Sequence, residues 1–242
     1  MAHFYLADAL DTTSVGSTVI LDGPEARHAS TVSRVRVGET LAIGNGRGLM
    51  LSARVINSTK DAVELLVESM EDIEPSHPRI TLVQALAKTD RDERAVEAAT
   101  ELGIDTVIPW AADRSVSKWE GPKVDKGISR WAAIAREATK QSIRAYIPQV
   151  GPHLKSAQLM SALDGQNVLV LDPTGTVPLS KVELDGRDIA LIVGPEGGIS
   201  ESELGRFVDA GATIVTLGAN VLRTSTAGPA ALAIINAKLE RC

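Results

Sequence analysis

Three short apolar runs each lead into a loop whose residues could hold a ligand. The runs are NVLVL, IALIV and TIVTL, and the loops behind them are residues 172–175, 194–198 and 217–226. Glycines in these loops remove the Cβ atom, permit positive φ and let the backbone approach a bound molecule closely. If the runs are parallel strands, their loops open at one edge of a sheet, where such sheets bind ligands. We therefore expect a single pocket lined largely by backbone.

The loop after IALIV carries one carboxylate and precedes a predicted helix. Ser200 followed by Glu203 fits a capping box, which indicates a helix start directly behind Gly194–Gly198. The free N–H groups of such a helix start could hold an anion or a polar ligand. The alternative interpretation is that Pro195–Gly198 form only a tight turn.

Motifs of several common enzyme classes are absent from the sequence. It contains no G-x-x-x-x-G-K-[ST], no H-E-x-x-H and no G-x-S-x-G. The segment Gly44–Gly48 does not match G-x-G-x-x-G and lies among β-rich runs, so it is interpreted as a hairpin turn. The single cysteine is the last residue, and the four histidines are scattered: His3, His28, His77 and His153. We expect no metal site and no disulfide framework.

The pattern of predicted elements changes near residue 75. Residues 1–74 hold β-rich runs separated by glycine-containing turns, with one predicted helix, EARHASTVSRVRV. Prolines at 75 and 78 indicate a linker. Beyond it, strands alternate with helices, which predicts an α/β domain with an open, mostly parallel sheet and helices on both faces. We therefore predict two domains: a small β-barrel at 1–74 and an α/β domain at 78–242.

Composition and charge favour a cytosolic protein with one basic segment. The chain begins without a basic leader, and no uncharged apolar run approaches 20 residues, so we expect no membrane segment. The net charge is -6, yet residues 114–155 hold nine Lys and Arg against three Asp and Glu. A phosphate-contacting surface and a solvated helix face are both consistent with this segment.

Five segments of the sequence together resemble one family. They are QALAKTDRDE, ATELGID, REATKQSIRAYIP, LIVGPEGGISESE and LGANVLRTSTA, and in this order they resemble the RsmE family of 16S ribosomal RNA uridine-N3 methyltransferases. The resemblance implies a SPOUT-type, Rossmann-like parallel sheet whose C-terminal segment forms a deep trefoil knot. It also implies a PUA-like RNA-binding barrel at the N-terminus, S-adenosyl-L-methionine as cofactor, a homodimer, and 16S rRNA, within the 30S subunit, as substrate.

The resemblance also assigns site residues. By analogy, the three loops wrap the cofactor, and Leu217, Gly218 and Leu222 hold its adenine. The cofactor-binding set that this implies is Leu171, Asp172, Gly194, Glu196, Gly197, Gly198, Leu217, Gly218, Leu222, Arg223 and Thr224. Three positions depart from the expected pattern, namely His3, Asn220 and Ser225, so family roles at these positions are in doubt.

The chemistry that the resemblance implies requires few protein groups. The sulfonium is an activated methyl donor, so the protein must align donor and acceptor and stabilise charge on the deprotonated uridine. Arg223 is the candidate for stabilising that charge. Glu196 is the candidate proton acceptor, with a loop-holding role as the alternative. For RNA contact we predict Lys123, Arg130, Lys140, Gln141 and Arg144. A SPOUT enzyme with another acceptor atom and a non-catalytic RNA-binding factor remain as alternatives.

Overall fold

The computed structural model describes residues 4–241, and His3 and Cys242 lie outside this range. The chain divides into two compact units. The first comprises the residues up to Pro75 together with Thr139–Ile147, and the second comprises Ser76–Ala138 and the residues from Pro148 onward. The division at Pro75 falls in the proline-containing linker, whereas the membership of 139–147 in the first unit has no signal in the sequence.

The first unit is built on a five-stranded sheet. Its elements are β1 (Phe4–Leu6), β2 (Thr18–Asp22), α1 (Gly23–Arg27), β3 (Thr40–Gly44), β4 (Leu49–Ser58) and β5 (Ala62–Asp72). The strand order is β1-β3-β4-β5-β2, with β1 parallel to β3 and the other pairs antiparallel. Alternating burial along β4 places Leu51, Ala53 and Val55 in the core of this unit, as expected for a half-buried antiparallel strand.

The helix of the first unit is shorter than the sequence predicts. α1 ends at Arg27 and continues only as one π-helical segment, His28–Val32. Arg34 then adopts a φ of 54°, in the left-handed region, which ends the helical path. The β-branched residues Thr31 and Val32 are poor helix formers, so the local sequence opposes the continuation that the pattern predicts.

The second unit contains most of the α-helices and a parallel sheet. Its elements are β6 (Ile80–Ala85), α2 (Arg91–Glu101), β7 (Thr106–Ala111), α3 (Pro122–Gln141, whose last three residues belong to the first unit), β8 (Gln149–Val150), β9 (Leu154–Lys155), α4 (Ser156–Ala162), β10 (Asn167–Leu171), β11 (Val177–Pro178), β12 (Ile189–Val193), α5 (Glu201–Asp209), β13 (Thr213–Thr216) and α6 (Thr224–Lys238). The sheet order is β11-β13-β10-β12-β6-β7-β8, with β9 also on β7, and all pairs are parallel. The predicted parallel α/β sheet is confirmed.

Two apolar cores cover the two faces of this sheet. On one face, Leu82 and Leu191 pack with residues of α2, α3 and α6. On the other face, their chain neighbours Val83 and Ile192 pack with residues of α4 and α5, among them Phe207. The period of two along each strand therefore divides the helices between the faces. Within residues 4–241, no helix combines the length and apolar character that crossing a bilayer requires.

Candidate active site

A cavity of about 440 Å³ lies in the second unit, at the sheet edge where β10, β12 and β13 end. Its lining consists of residues 171–173, 193–196, 198–199 and 215–224, with Arg91 and Ala227. The three loops singled out in the sequence therefore meet at one edge of the parallel sheet. All of the residues predicted to bind the cofactor line this cavity except Gly197.

Glycine is required at two positions of the loop after β12 because the loop folds tightly. A Cβ on Gly194 would lie 2.7 Å from Cγ1 of Ile199, and Gly198 has a φ of +73°. Gly197 faces away from the cavity, where a Cβ would lie 3.1 Å from the Cβ of Arg114. Gly197 therefore serves packing against the segment after β7, and cofactor contact by this residue stays a prediction.

A buried carboxylate ties this loop to two other segments. Glu203, fully buried, accepts hydrogen bonds from Ser156 Oγ at 2.6 Å and from the backbone N–H of Asp113 at 2.8 Å. It also accepts from the N–H and Oγ of Ser200, at 3.0 and 2.9 Å. Because the Glu203 N–H in turn donates to Ser200 Oγ at 3.2 Å, the two residues form the capping box of α5. Burial alone would raise the pKa of Glu203, but these hydrogen bonds outweigh it and hold the pKa below its usual range.

Arg114 adds a second tie between the same segments. Its Nη1 donates to the carbonyl oxygens of Gly197, at 3.3 Å, and Ile199, at 3.4 Å. Because Ile199 and its neighbour Gly198 line the cavity, Glu203 and Arg114 hold one wall of the cavity from behind.

The start of α6 is joined to the neighbouring strands by a buried chain of hydrogen bonds. Thr224 Oγ1 donates to the carbonyl oxygen of Gly194 at 2.7 Å and accepts from Gln84 Nε2 at 2.8 Å. Gln84 is fully buried in β6. The hydroxyl proton of Thr224 is thus used within the protein, so its predicted cofactor contact would have to come from other atoms of the residue.

Arg223, the predicted catalytic residue, immediately precedes α6 and lines the cavity. Its carbonyl oxygen accepts from the N–H groups of Thr226 and Ala227, at 2.8 and 2.9 Å, in the first turn of the helix. Its guanidinium is exposed and has no hydrogen-bond or ion-pair partner within the described part of the chain. The helix therefore fixes its backbone while the side chain is available to a ligand.

Glu196, the other predicted catalytic residue, is held by the segment between β6 and α2. Its Oε1 accepts from the backbone N–H of Lys88 at 3.1 Å and from Arg91 Nη1 at 3.0 Å. Sequence reasoning missed Arg91 as a site residue, although it lies in the segment QALAKTDRDE. Only the adjacency of β6 and β12 brings it to the cavity, and strand order is not readable from that segment.

The residues predicted to contact RNA have different surroundings. Lys123 is exposed in the first turn of α3, and Gln141 is exposed at its end. Arg130 is exposed but paired with Glu93, with N–O distances of 2.9 and 3.1 Å. Lys140 forms a 2.9 Å ion pair with Glu25, and each of these two side chains is only 12% exposed. Arg144 is partly buried within the segment 139–147. RNA contact by this set stays a prediction.

Comparisons with known proteins agree with this geometry. A sequence model of the RNA methyltransferase domain family matches residues 74–236. The ribosomal RNA small subunit methyltransferase E of Mycobacterium bovis is 39% identical, covering 100% of this chain and 94% of that protein. The protein of the same name from Bacillus subtilis is 28% identical over 99% of this chain and 98% of its own.

Solved structures give the same result. The crystal structure of a ribosomal RNA small subunit methyltransferase E from Neisseria gonorrhoeae bound to S-adenosyl methionine has a TM-score of 0.89, with 28% identity over 98% of each chain. A Legionella pneumophila protein in complex with the same cofactor has a TM-score of 0.88 and 27% identity. The resemblance found in the sequence is confirmed: the chain belongs to the ribosomal RNA small subunit methyltransferase E family.

Proposed function

We propose that the chain transfers the methyl group of S-adenosyl-L-methionine to N3 of a uridine in 16S rRNA. The relatives are ribosomal RNA small subunit methyltransferases by name, and two similar structures contain the cofactor. The enzyme class, the cofactor and the small-subunit rRNA substrate are thereby supported at the level of the family. The uridine N3 acceptor comes from the sequence resemblance alone.

The observation that carries the proposal is the fit between the cavity and this cofactor. About 440 Å³ lies within the range of small-molecule pockets. Apolar side chains, among them Leu171, Leu217 and Leu222, could cover a flat adenine, and Gly218 adds no side chain to the lining beside them. Charged side chains stand on the same lining for the polar part of the molecule. When bound, the cofactor supplies a methyl group already activated by its sulfonium.

We assign charge stabilisation at the uridine to Arg223. Loss of the N3 proton spreads negative charge onto O2 and O4, and a guanidinium placed beside these oxygens stabilises such charge. Arg223 meets this requirement because its backbone caps α6 while its guanidinium is unpaired within the described residues.

For Glu196 we favour the loop-holding role over proton acceptance. Its carboxylate already accepts from Lys88 and Arg91, which fastens the loop after β12 to the start of α2. Proton acceptance by Glu196 stays the alternative.

The first unit, by proposal, is a PUA-like RNA-binding barrel, and the C-terminal segment forms the trefoil knot of SPOUT enzymes. The five-stranded sheet supports the first proposal. The hydrogen bonds that hold Thr224 between Gly194 and Gln84, and the fit of Gly228 against Leu82 and Val193, support the second. Homodimer formation and a cytoplasmic location also remain proposals that follow from the family.

The proposed function is tested with labelled cofactor and 30S subunits that lack the modification. We expect label in 16S rRNA and 3-methyluridine among the digested nucleosides by mass spectrometry. Label in a ribose 2′-O-methyl group or in a guanine would show that the acceptor is that group and not uridine N3. No transfer to subunits or to free 16S rRNA would contradict the proposal.

A further inference from the structure

The cavity is lined by apolar and charged side chains that follow different strands of the sheet. In the sheet, β13, β10, β12 and β6 are neighbours in that order. Leu217 follows β13 and Leu171 ends β10, whereas Glu196 follows β12 and Arg91 follows β6. Because neighbouring strands lie about 4.8 Å apart, β6 is roughly 10–14 Å along the sheet from β10 and β13, and Arg91 reaches the cavity from the side of β6. A ligand that fills the cavity therefore meets two different chemical environments.

Beside β6 and β12, the cavity presents one cation and one anion side by side. Arg91 Nη1 donates to Glu196 Oε1 at 3.0 Å, and the two side chains are 39% and 25% exposed. Both residues line the cavity. No other hydrogen bond of the Arg91 guanidinium occurs within the described residues, so its remaining N–H groups can serve a ligand.

An adjacent guanidinium and carboxylate are complementary to an α-amino-acid zwitterion. A guanidinium binds a carboxylate through paired N–H groups, and a carboxylate accepts from an ammonium group. The methionine part of S-adenosyl-L-methionine carries both of these charges. Apolar residues such as Leu171 and Leu217, in the same cavity as this pair, match the two parts of the cofactor, an adenine and an amino acid.

We propose that Arg91 and Glu196 together bind the amino-acid end of the cofactor, with Arg91 receiving the α-carboxylate and Glu196 the α-ammonium. This inference rests on the proposed function. Since the pair is half-exposed, its mutual attraction is weak in water, and its partners can rearrange toward a ligand at little cost. The pair thereby distinguishes the complete cofactor from adenosyl compounds that lack the amino acid.

The test uses ligands that differ only at that end. S-adenosyl-L-homocysteine and 5′-methylthioadenosine are both uncharged at sulfur, but only the first carries the amino acid. With calorimetry on the full chain, we expect Arg91→Ala to weaken the binding of S-adenosyl-L-homocysteine by roughly tenfold or more, which is the loss typical of a hydrogen bond to a charged group. Binding of 5′-methylthioadenosine should be unchanged, which also shows that the cavity is intact.

A second pair of ligands separates the two charges. Decarboxylated S-adenosylmethionine keeps the amine and lacks the carboxylate. Arg91→Ala should weaken the complete cofactor but leave the decarboxylated compound unaffected, whereas Glu196→Gln should weaken both. For each variant, the difference between its effects on the binding of the two ligands gives the coupling between the side chain and the carboxylate of the ligand, as in a double-mutant cycle.

Arg94→Ala is the matched control. Arg94 lies on the same helix and pairs with Asp90 at 3.2 Å, but it is 68% exposed and is not part of the cavity lining. This variant should bind every ligand as the wild type does. If Arg91→Ala changed S-adenosyl-L-homocysteine and 5′-methylthioadenosine by the same factor, or changed neither, the inference would be overturned. If the wild-type chain bound none of these adenosyl compounds, the proposed function would fall as well.

Discussion

Two carboxylates that follow β12, seven positions apart, have opposite surroundings. Glu203 is fully buried and accepts from four protein donors, whereas the Glu196 side chain is 25% exposed and bonded to Lys88 and Arg91. Removing either side of a buried, hydrogen-bonded carboxylate lowers the free energy of unfolding by several kcal/mol. An exposed ion pair contributes only about 0–1 kcal/mol to that free energy. The first carboxylate therefore serves the rigidity of the loop, and the second remains available to a ligand.

Replacing Arg223 should have the largest effect on catalysis, because its charge has no partner within the described residues and is available to a ligand. Arg223→Ala should lower kcat by roughly 10²–10³, the loss typical of removing a donor to a developing oxyanion. Its cofactor affinity and thermal midpoint should match those of the wild type. The measurement is single-turnover methyl transfer at saturating cofactor, together with calorimetry. Turnover near the wild-type rate would remove Arg223 from the catalytic role.

Glu203→Ala should have the largest effect on stability. It leaves Ser156 Oγ and the N–H groups of Asp113 and Ser200 without their acceptor, which we expect to lower the free energy of unfolding by about 2–4 kcal/mol. Urea unfolding measures this change. Glu201→Ala is the control, since Glu201 is exposed in the first turn of the same helix. Equal, small changes in the two variants would contradict the proposed role of Glu203.

Acid should reveal Glu203 through the pH dependence of stability. Its pKa in the folded chain lies below the ordinary value of 4.5, to which it returns on unfolding. Its stabilising contribution is therefore complete above about pH 4.5 and is lost as the pH falls through the folded pKa. The difference in unfolding free energy between wild type and Glu203→Gln should shrink over that acidic range. A difference that grew on acidification would contradict the lowered pKa.

The exposed pairs should give the smallest changes in stability. Arg130→Ala should leave the unfolding free energy nearly unchanged, because its ion pair with Glu93 is exposed. If Arg130 contacts a phosphate, the variant should also lower the slope of log affinity against log salt by about one. Lys140→Ala is the contrasting variant, because the side chains of Lys140 and Glu25 in this ion pair are each only 12% exposed. It should lower the free energy of unfolding more than Arg130→Ala does. Filter binding to 16S rRNA at several salt concentrations separates the two effects.

The sequence was sufficient for the features that depend on local pattern. Apolar runs such as IALIV and NVLVL are fully or almost fully buried parallel strands, and Ser200 with Glu203 forms the capping box. The convergence of three loops followed from the rule that parallel strands share an edge. These predictions needed only periodicity and turn chemistry.

The sequence was insufficient where the position of a residue depends on strand order or long-range pairing. Arg91 reaches the cavity only because β6 lies beside β12. The Thr224 hydroxyl donates to Gly194 and accepts from Gln84, which is 140 positions away in the chain. The segment 139–147 belongs to the first unit, where the Tyr146 hydroxyl donates to the Ile73 carbonyl oxygen at 2.6 Å. The short elements β8, β9, β11 and α4 are likewise too brief to produce a periodic signal.

A crystal structure of the chain with S-adenosyl-L-methionine would show whether the ends of β10, β12 and β13 form the cofactor site. We expect the adenosyl group beside Leu171, Leu217 and Leu222, with the amino-acid end toward Arg91 and Glu196. A cofactor bound at another place on the chain, or a cavity that stays empty at saturating ligand, would contradict it.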